Sequence, residues 1–326
     1  MVDLYINVYR FRYLYPWVFK DVLFKSALSD KNQYWLVIEP LDANVILGAG
    51  LFHKINNRTI FASKLVCKKE YQGKGLAGIL GTRGVRALYQ KDAFEGILRL
   101  ETDVRAKTYP AQRVLEAVGC RPYAYIPNYN NYADKRSFDP SKGEPFIKGE
   151  IEPGIMYFKP FKGFWNKRKS PIFLFDEEEI LLAYDIVKKT NKKNMKSDRI
   201  IIKDGSNKSH RNQIHNYSKD YYKAILSFTG YVKNIKKILD SYSKWNLIEW
   251  RIPTNSEKSI YYQKLAIENG FHVVGYDPFA IHQKISSDAI IFTYYPNGIE
   301  QSQFTDIRFT RRSKPLCNLI NPLIDT

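Results

Sequence analysis

The segment VCKKEYQGKGLA at residues 66–77 decides the fold class of this chain. It is typical of the end of a β-strand, a glycine-rich turn and the start of a helix, which we expect to run from Leu76 to Gln90. The first turn of a helix has N–H groups without partners and carries the positive end of the helix dipole. Gly73 and Gly75 have no Cβ, so an anion can approach their backbone closely. The segment therefore predicts a site for a ligand that carries phosphate.

Three kinds of phosphate-binding loop compete for this segment. A Walker A loop needs Gly-x-x-x-x-Gly-Lys-Ser/Thr, which is absent here. The dinucleotide fingerprint matches formally through Gly73, Gly75 and Gly78, but that loop should follow the first strand of a βαβ unit. Here three strand-like runs precede the loop and indicate an antiparallel meander: Tyr34–Glu39, Asn44–His53 and Thr59–Lys68. The third pattern, Gln/Arg-x-x-Gly-x-Gly/Ala, fits Gln72–Ala77 at every fixed position.

This third pattern resembles the acyl-CoA-binding loop of the GNAT superfamily of N-acetyltransferases. Two later segments extend the resemblance. Asp103–Thr108 is similar to the Glu-Val-Arg-x-x-Asn segment of ribosomal-protein N-terminal acetyltransferases, and Ala111–Cys120 is similar to their Ala-x-x-Leu-Tyr-Glu-x-x-Gly-Phe helix end. The resemblance covers residues 30–162 and implies an α/β (α+β) fold, with a mixed, largely antiparallel GNAT-like sheet flanked by helices.

The resemblance also implies a co-substrate, acetyl-CoA or another acyl-CoA. The loop amides would hold its pyrophosphate, and a backbone N–H of Val66 or a neighbour would polarise the thioester carbonyl. Lys74 either adds charge near a phosphate or points to water. The residues that we assign to this co-substrate are Val66, Gln72, Gly73, Lys74, Gly75, Leu76, Ala77 and Thr108.

Two carboxylates are candidates for the general base. Asp103 stands where the ribosomal-protein enzymes carry a glutamate suited to that role, usually through water. Alternatively, Asp103 is a strand-end carboxylate paired with Arg99 or Arg105. Glu101 shares the strand face of Asp103 by period-two alternation and is the second candidate.

The general acid departs from the family pattern. The usual tyrosine of the Leu-Tyr-Glu segment is Leu115 here, and a leucine cannot protonate a thiolate. Tyr109, Tyr123 or Tyr125 would replace it, with Tyr123 taken as the catalytic candidate, or the thiolate leaves without help.

Composition sets further bounds. With 326 residues, 44% of them apolar, the chain is long enough for two domains. It has no run of 18 or more apolar residues and no signal-peptide pattern at its N-terminus. Its three Cys and five His show neither a disulfide framework nor a metal-ligand spacing. We therefore expect a cytoplasmic protein with no membrane span and no metal.

The charge leaves several partners open. The 51 Lys and Arg against 33 Asp and Glu give a formal net charge of +18, which attracts polyanions. CoA, an acyl carrier protein, nucleic acid and an acidic membrane surface all qualify, and nucleic acid is not favoured. Part of the charge lies in Ile186–Lys219, which we expect to be a solvated linker.

The second half of the chain resembles the first in its predicted secondary structure. Leu247–Tyr295 has the same predicted element order as Leu98–Phe161, but Ser227–Asn234 lacks the glycine-loop pattern. We predict a GNAT-like catalytic domain at 1–165, a basic linker and the start of a second domain at 166–220, a degenerate GNAT-like domain at 221–312 and a tail at 313–326. The alternative is an unrelated α/β domain.

Three further local predictions bear on the site. Asp3–Phe11 alternates as a strand would, and Pro16–Ala27 has the pattern of a helix with proline near its start. Asn128–Pro153 is polar and predicts a long loop, which in GNAT-like folds helps to wall the acceptor site.

The sequence thus predicts an acyltransferase that moves an acyl group from acyl-CoA, or from a carrier-protein thioester, to an amine by direct attack. The acceptor would be a small molecule, an amino sugar or a peptide. The alternative is a non-catalytic module that binds CoA, nucleic acid or a protein partner on the same scaffold.

Overall fold

The computed structural model describes residues 1–91, 93–192, 194–195, 199–203, 212–282, 285–305 and 307–320. The strands are β1 (Gln33–Ile38), β2 (Gly48–Lys54), β3 (Thr59–Cys67), β4 (Arg99–Arg105), β5 (Arg121–Tyr132), β6 (Glu150–Pro160), β7 (Ile172–Phe175), β8 (Arg199–Ile202), β9 (Gln213–Asp220), β10 (Ile225–Tyr231), β11 (Leu247–Pro253), β12 (His272–His282) and β13 (Ile285–Tyr294). The α-helices are α1 (Val2–Tyr9), α2 (Asp21–Leu28), α3 (Leu76–Ile79), α4 (Val85–Gln90), α5 (Tyr109–Ala117), α6 (Phe164–Lys167), α7 (Glu178–Thr190), α8 (Ile235–Ser241), α9 (Ser259–Glu268), α10 (Ser302–Thr305) and α11 (Lys314–Cys317).

A single mixed sheet runs through both halves of the chain. Its strand order is β1-β2-β3-β4-β6-β5-β12-β13-β11-β10-β9, and only β3–β4 and β10–β11 are parallel pairs. The halves meet where β5 and β12 pair through Ala124 and Gly275. A Cβ on Gly275 would lie 2.3 Å from the Tyr123 carbonyl oxygen, so this close junction requires glycine. The mixed, largely antiparallel sheet confirms the predicted fold class.

The second half of the sheet repeats irregular details of the first. The ladder of β5 shifts register between Pro122 and Ala124, and the ladder of β12 shifts between Val273 and Gly275. A second register shift follows in each strand, and both β5 and β12 carry a left-handed residue there, with φ of 55° at Asn128 and 54° at Phe279. These matched bulges favour two related domains over an unrelated second domain. The domain boundaries at residues 165, 220 and 312 stay a prediction.

The N-terminal segment differs from its prediction. Asp3–Phe11 is not a strand, because Val2–Tyr9 forms helix α1. Leu4 and Tyr5 are buried on one face of α1 and belong to a small core with Val66 of β3. The spacing of Met1, Leu4, Tyr5 and Val8 is that of a helix face and was the better signal.

Two other elements are shorter or broken relative to their predictions. The predicted helix Pro16–Ala27 is interrupted at Lys20, whose extended backbone separates a 3₁₀ turn, Pro16–Phe19, from α2. The predicted loop Asn128–Pro153 is partly strand, because β5 continues to Tyr132 and β6 begins at Glu150. The segment taken as a linker also contributes β9, a polar edge strand of the main sheet. Over the described parts of the chain, no helix combines the length and the apolar character needed to cross a membrane.

The helix after the glycine loop covers one face of the sheet. It runs from Leu76 to Gln90 as α3, a π-helical turn at Leu80–Gly84 and α4. A Cβ on Gly84 would lie 2.3 Å from Cδ1 of Leu36, so the π-helical turn brings the helix backbone close to β1. This packing fixes the position of the helix start, where the glycine loop ends.

Candidate active site

β3 and β4 form an open cleft. Their parallel pairing covers only Thr59–Ala62 and Arg99–Thr102, and beyond it the two strands have no pairing with each other. On its other edge β3 carries a bulge at Lys64, because Ala49 pairs with Val66 whereas Leu51 pairs with Ser63. Lys64 has a left-handed φ of 56°. The two strands therefore diverge at the end of β3 that leads into the glycine loop.

The glycine loop leaves its backbone N–H groups available. Gly73 and Gly75 have φ of 77° and 80°, and a Cβ at either position would meet no atom within 4 Å. In this fully described loop, residues 73–78 donate no backbone N–H to another backbone group. The side chain of Gln72 braces the loop, since its Nε2 donates to the Cys67 carbonyl oxygen at 3.1 Å. The loop residues thus fit an anionic group such as a pyrophosphate.

The other residues assigned to the co-substrate lie around this loop. Lys74 is exposed, and its Nζ stands 4.7 Å from the centroid of the Tyr71 ring. Leu76 and Ala77 are half-buried in the first turn of α3, and Val66 is buried at the end of β3. Thr108 precedes α5, where its carbonyl oxygen accepts the N–H groups of Ala111 and Gln112.

A cavity of about 580 Å³ receives residues from both halves of the chain. The segment Tyr13–Trp17 covers it. The hydroxyl of Tyr15 donates to Asp220 Oδ2 at 2.7 Å and so connects this covering segment to β9. The residues lining the cavity are Tyr13, Leu14, Tyr15, Trp17, His53, Ile55, Thr59, Phe61, Ser63, Lys64, Glu101, Asp103, Tyr129, Asn216, Ser218, Asp220, Lys223, Ile225, Ser227, Phe228, Thr229, Glu249 and Arg251.

Both predicted carboxylates face this cavity. Asp103 lies 3.6 Å from Nζ of Lys223, which comes from the second half of the chain. The alternative pairing of Asp103 is wrong, because Arg99 pairs with Glu101 at 2.9 Å and Arg105 pairs with Glu152 at 2.7 Å. Burial raises the pKa of Glu101, although Arg99 opposes that shift. Asp103 thus has an ion-pair partner from the second half of the chain, whereas Glu101 is paired within its own strand.

The three tyrosines considered as general acid do not line the cavity. Tyr123 is 2% exposed, with its ring 5.2 Å from the Arg99 guanidinium, and Tyr125 donates its hydroxyl to the Gln303 carbonyl oxygen. The Tyr109 ring lies 4.4 Å from the Arg308 guanidinium. Sequence reasoning missed Tyr129, which lines the cavity. Tyr129 lies in Asn128–Pro153, the segment for which the sequence predicts a loop. Burial raises the pKa of Tyr129, so its hydroxyl keeps its proton at neutral pH.

A buried chain of ion pairs connects the two halves at the cavity. Asp277 of β12 contacts Arg99 Nη1 at 2.5 Å and Arg251 Nη1 at 3.0 Å. Arg251 also pairs with Glu249 at 2.7 Å. Asp277 and Arg99 are both completely buried. Glu249-Trp250-Arg251 resembles Asp103-Val104-Arg105 of the first half, and this similarity is a sequence signal for the contribution of the second half.

Comparison with known proteins gives one relative by sequence and several by structure. No protein-family model matches the chain. A Bacillus subtilis protein assigned as a ribosomal protein bS18-alanine N-acetyltransferase is 29% identical over 114 residues, which span 35% of this chain and 70% of the relative. The solved ribosomal-protein-S18-alanine N-acetyltransferase of Escherichia coli matches 49% of this chain and 85% of its own, with 16% identity and a TM-score of 0.34. The spermidine N-acetyltransferase of Vibrio cholerae, solved with CoA and spermine, matches 49% and 86%, with 19% identity and a TM-score of 0.36. Structural similarities of this size carry no argument about what the chain does.

Proposed function

We propose that this chain, a GNAT-superfamily N-acyltransferase, moves an acyl group from acyl-CoA to an amine that binds in the cavity between its two halves. The observation that carries the proposal is the continuity of three features along β3. The glycine loop with free N–H groups follows the end of β3, the cleft to β4 opens at the same end, and the cavity with its two carboxylates borders that cleft. This continuity supports a phosphate site, a thioester site and a base in the order that acyl transfer needs.

Each part of the site has its own role in the proposed reaction. The backbone N–H groups at Gly73–Ala77 would hold the pyrophosphate, and acyl-CoA supplies the activated thioester. A backbone N–H at Val66 or a neighbour would stabilise the negative charge that develops on the carbonyl oxygen. The acceptor nitrogen attacks the carbonyl carbon, the C–N bond forms and the C–S bond breaks, so the sulfur leaves with the electron pair. Asp103 accepts the proton that the amine loses, directly or through water.

Acetyl-CoA is the donor that we propose first, because the sequence relative carries the name of an N-acetyltransferase. A carrier-protein thioester remains the second donor within the same proposal. Leu115 occupies the position of the family's acid and is packed against the main core, so it takes no part in proton transfer. Among the hydroxyls that line the cavity, we propose Tyr129 as the group that protonates the departing sulfur.

The test of the CoA site is a calorimetric titration of the full chain with CoA. The wild-type chain should bind one CoA, and Gly75→Asp should weaken binding at least about tenfold, because it places a carboxylate beside the pyrophosphate. Gly143→Asp is the matched control. Gly143 also has a left-handed φ of 77° with no atom near a Cβ, but it lies in another loop, so this variant should bind CoA as the wild type does. Unchanged affinity in a folded Gly75→Asp variant, or two CoA molecules per chain, would contradict the assignment.

The test of catalysis is release of the CoA thiol from acetyl-CoA in the presence of amine acceptors. Turnover with any amine supports the acyltransferase. A chain that binds CoA at the loop but turns over no acceptor with acetyl-, octanoyl- or carrier-bound acyl donors would instead be the non-catalytic module.

A further inference from the structure

The cavity holds charges of both signs, and most of them already have partners. Glu101 is paired with Arg99, Glu249 with Arg251, and Asp103 with Lys223. Asp220 accepts the hydroxyl of Tyr15. Lys64 is the exception: within the described residues, no carboxylate lies within ion-pair distance of its amine. A cation that faces a ligand cavity without a carboxylate is a candidate to bind an anionic group of the ligand.

The bulge of β3 fixes the position of Lys64. The left-handed backbone at Lys64 gives it a different direction from its strand neighbours, and its carbonyl oxygen accepts the Tyr5 hydroxyl at 3.0 Å. Its Nζ lies 5.5 Å from the Tyr15 ring centroid and 5.3 Å from that of Trp17, so two aromatic faces support the cation. Burial lowers the pKa of Lys64 to about 8, which leaves it cationic at neutral pH.

Lys64 and Asp103 stand on the two strands that diverge at the cleft. The ladder between β3 and β4 ends at the pair Ala62 and Thr102. Beyond that pair come Lys64 on β3 and Asp103 on β4. The negative charge of Asp103 acts on Lys64, because it partly offsets the lowering of the Lys64 pKa. A ligand at this point therefore meets the Asp103 carboxylate, which an ammonium group would share with Lys223, and the Lys64 amine, which suits a carboxylate.

The cavity has the size and lining of a small-molecule site. Its volume of about 580 Å³ falls in the range of small-ligand pockets. Apolar rings line it beside the charged groups: Tyr13, Trp17, Phe61 and Phe228. The covering segment is held in place, because the buried amine of Lys135 donates both to the Leu14 carbonyl oxygen and to the Tyr222 carbonyl oxygen. A protein chain entering the cavity would have to displace this segment.

We propose, resting on the acyltransferase function above, that the acceptor is a free α-amino acid with an apolar side chain. Its ammonium group faces Asp103, its carboxylate pairs with Lys64, and its side chain packs against the aromatic rings. Lys64 is then the residue that distinguishes an amino acid from an amine that lacks the carboxylate.

The experiment compares ligand pairs that differ only in that carboxylate. L-phenylalanine is titrated against phenethylamine, and L-leucine against 3-methylbutylamine, by calorimetry on the full chain saturated with CoA. We expect at least one of the two amino acids to bind at least about tenfold more tightly than its amine. Lys64→Met keeps the length of the side chain and removes the charge, so it should abolish that difference.

Lys54→Met is the matched control. Lys54 lies on the neighbouring strand β2, with its Nζ 5.8 Å from the Tyr34 ring centroid and outside the cavity lining, so this variant should keep the wild-type preference. Equal binding of amino acid and amine by the wild type, no binding of either pair, or an unchanged preference in folded Lys64→Met would each overturn the inference. If CoA binds and amines without a carboxylate are acylated equally well, the acyltransferase stands and only the amino-acid inference fails. If no CoA binds, both fail.

Discussion

The chain of ion pairs through Asp277 makes a strong prediction about stability. Asp277 contacts one guanidinium from each half of the sheet, Arg99 and Arg251. Asp277→Asn keeps the size of the side chain but removes the charge that both cations share. We expect it to destabilise the junction between the two halves.

The magnitude follows from the burial of the partners. Arg99 and Asp277 are fully buried, and the side chain of Arg251 is 13% exposed, so water cannot replace the lost carboxylate. Breaking a buried ion pair by removing one partner costs about 3–5 kcal/mol. Because the amide oxygen of asparagine can still accept one hydrogen bond, we expect the lower end, a loss of about 3 kcal/mol in the free energy of unfolding.

Urea unfolding followed by circular dichroism measures this loss. The control is Asp185→Asn, which breaks the pair between Asp185 and Arg199, whose side chains are 53% and 30% exposed at an N–O distance of 2.9 Å. That exposed pair should contribute less than about 1 kcal/mol. If Asp277→Asn costs no more than Asp185→Asn, the buried ion pairs do not hold the two halves together and this reasoning is wrong.

Two other outcomes are expected. Asp103→Asn should lower kcat about 100-fold with CoA affinity unchanged, because the amide cannot accept the proton of the amine; a larger loss with Glu101→Gln would assign the base to Glu101 instead. His53 is predicted to make the fold acid-sensitive: burial and Lys64 lower its pKa to about 4, and its Nδ1 has no hydrogen-bond partner. Between pH 6.5 and pH 4 the unfolded chain binds a proton at His53 that the folded chain does not bind, so the free energy of unfolding falls as the pH falls through this window. Urea titrations should show a smaller fall for His53→Phe than for the wild type.

The sequence predicted the parts of the site that depend on local residues. The glycine loop, the strand before it and the helix after it lie within residues 59–90, and their turn chemistry and periodicity are contained in that stretch. The position of Asp103 and Glu101 on one strand face followed in the same way from alternation. Such features need no knowledge of what packs against them.

The parts that depend on distant contacts were not predictable. The cavity brings Asp103 within 3.6 Å of Lys223, and Tyr15 within hydrogen-bond distance of Asp220. No local pattern marks these pairs, because each residue lies on an ordinary strand or turn. Helix α1 was missed for a different reason: its short apolar stripe also fits alternation, although the spacing of Met1, Leu4, Tyr5 and Val8 favours the helix that packs against β3.

Leu115, which stands where the family carries its tyrosine, also depends on distant contacts. Leu115 packs against the main core and no residue of α5 lines the cavity, whereas Tyr129 does. Tyr129 contacts the second half at the cavity, since Nζ of Lys223 lies 4.0 Å from its ring centroid.

The two halves share a strand order but differ where a CoA would bind. In the first half, β3 and β4 part after a short ladder, and the loop glycines have empty space around them. In the second half, β10 and β11 stay paired through Thr229 and Arg251, and two side chains bridge their ends: Trp250 donates to the Gly230 carbonyl oxygen at 2.8 Å, and Tyr231 donates to the Pro253 carbonyl oxygen at 3.1 Å. A Cβ on Gly230 would lie 2.1 Å from the carbonyl oxygen of Gln213, so the edge strand β9 fills the space that the first half leaves open. Within its described residues the second half therefore lacks the open cleft and the free glycine loop, and we propose that it acts on the reaction through the side chains that it places in the shared cavity.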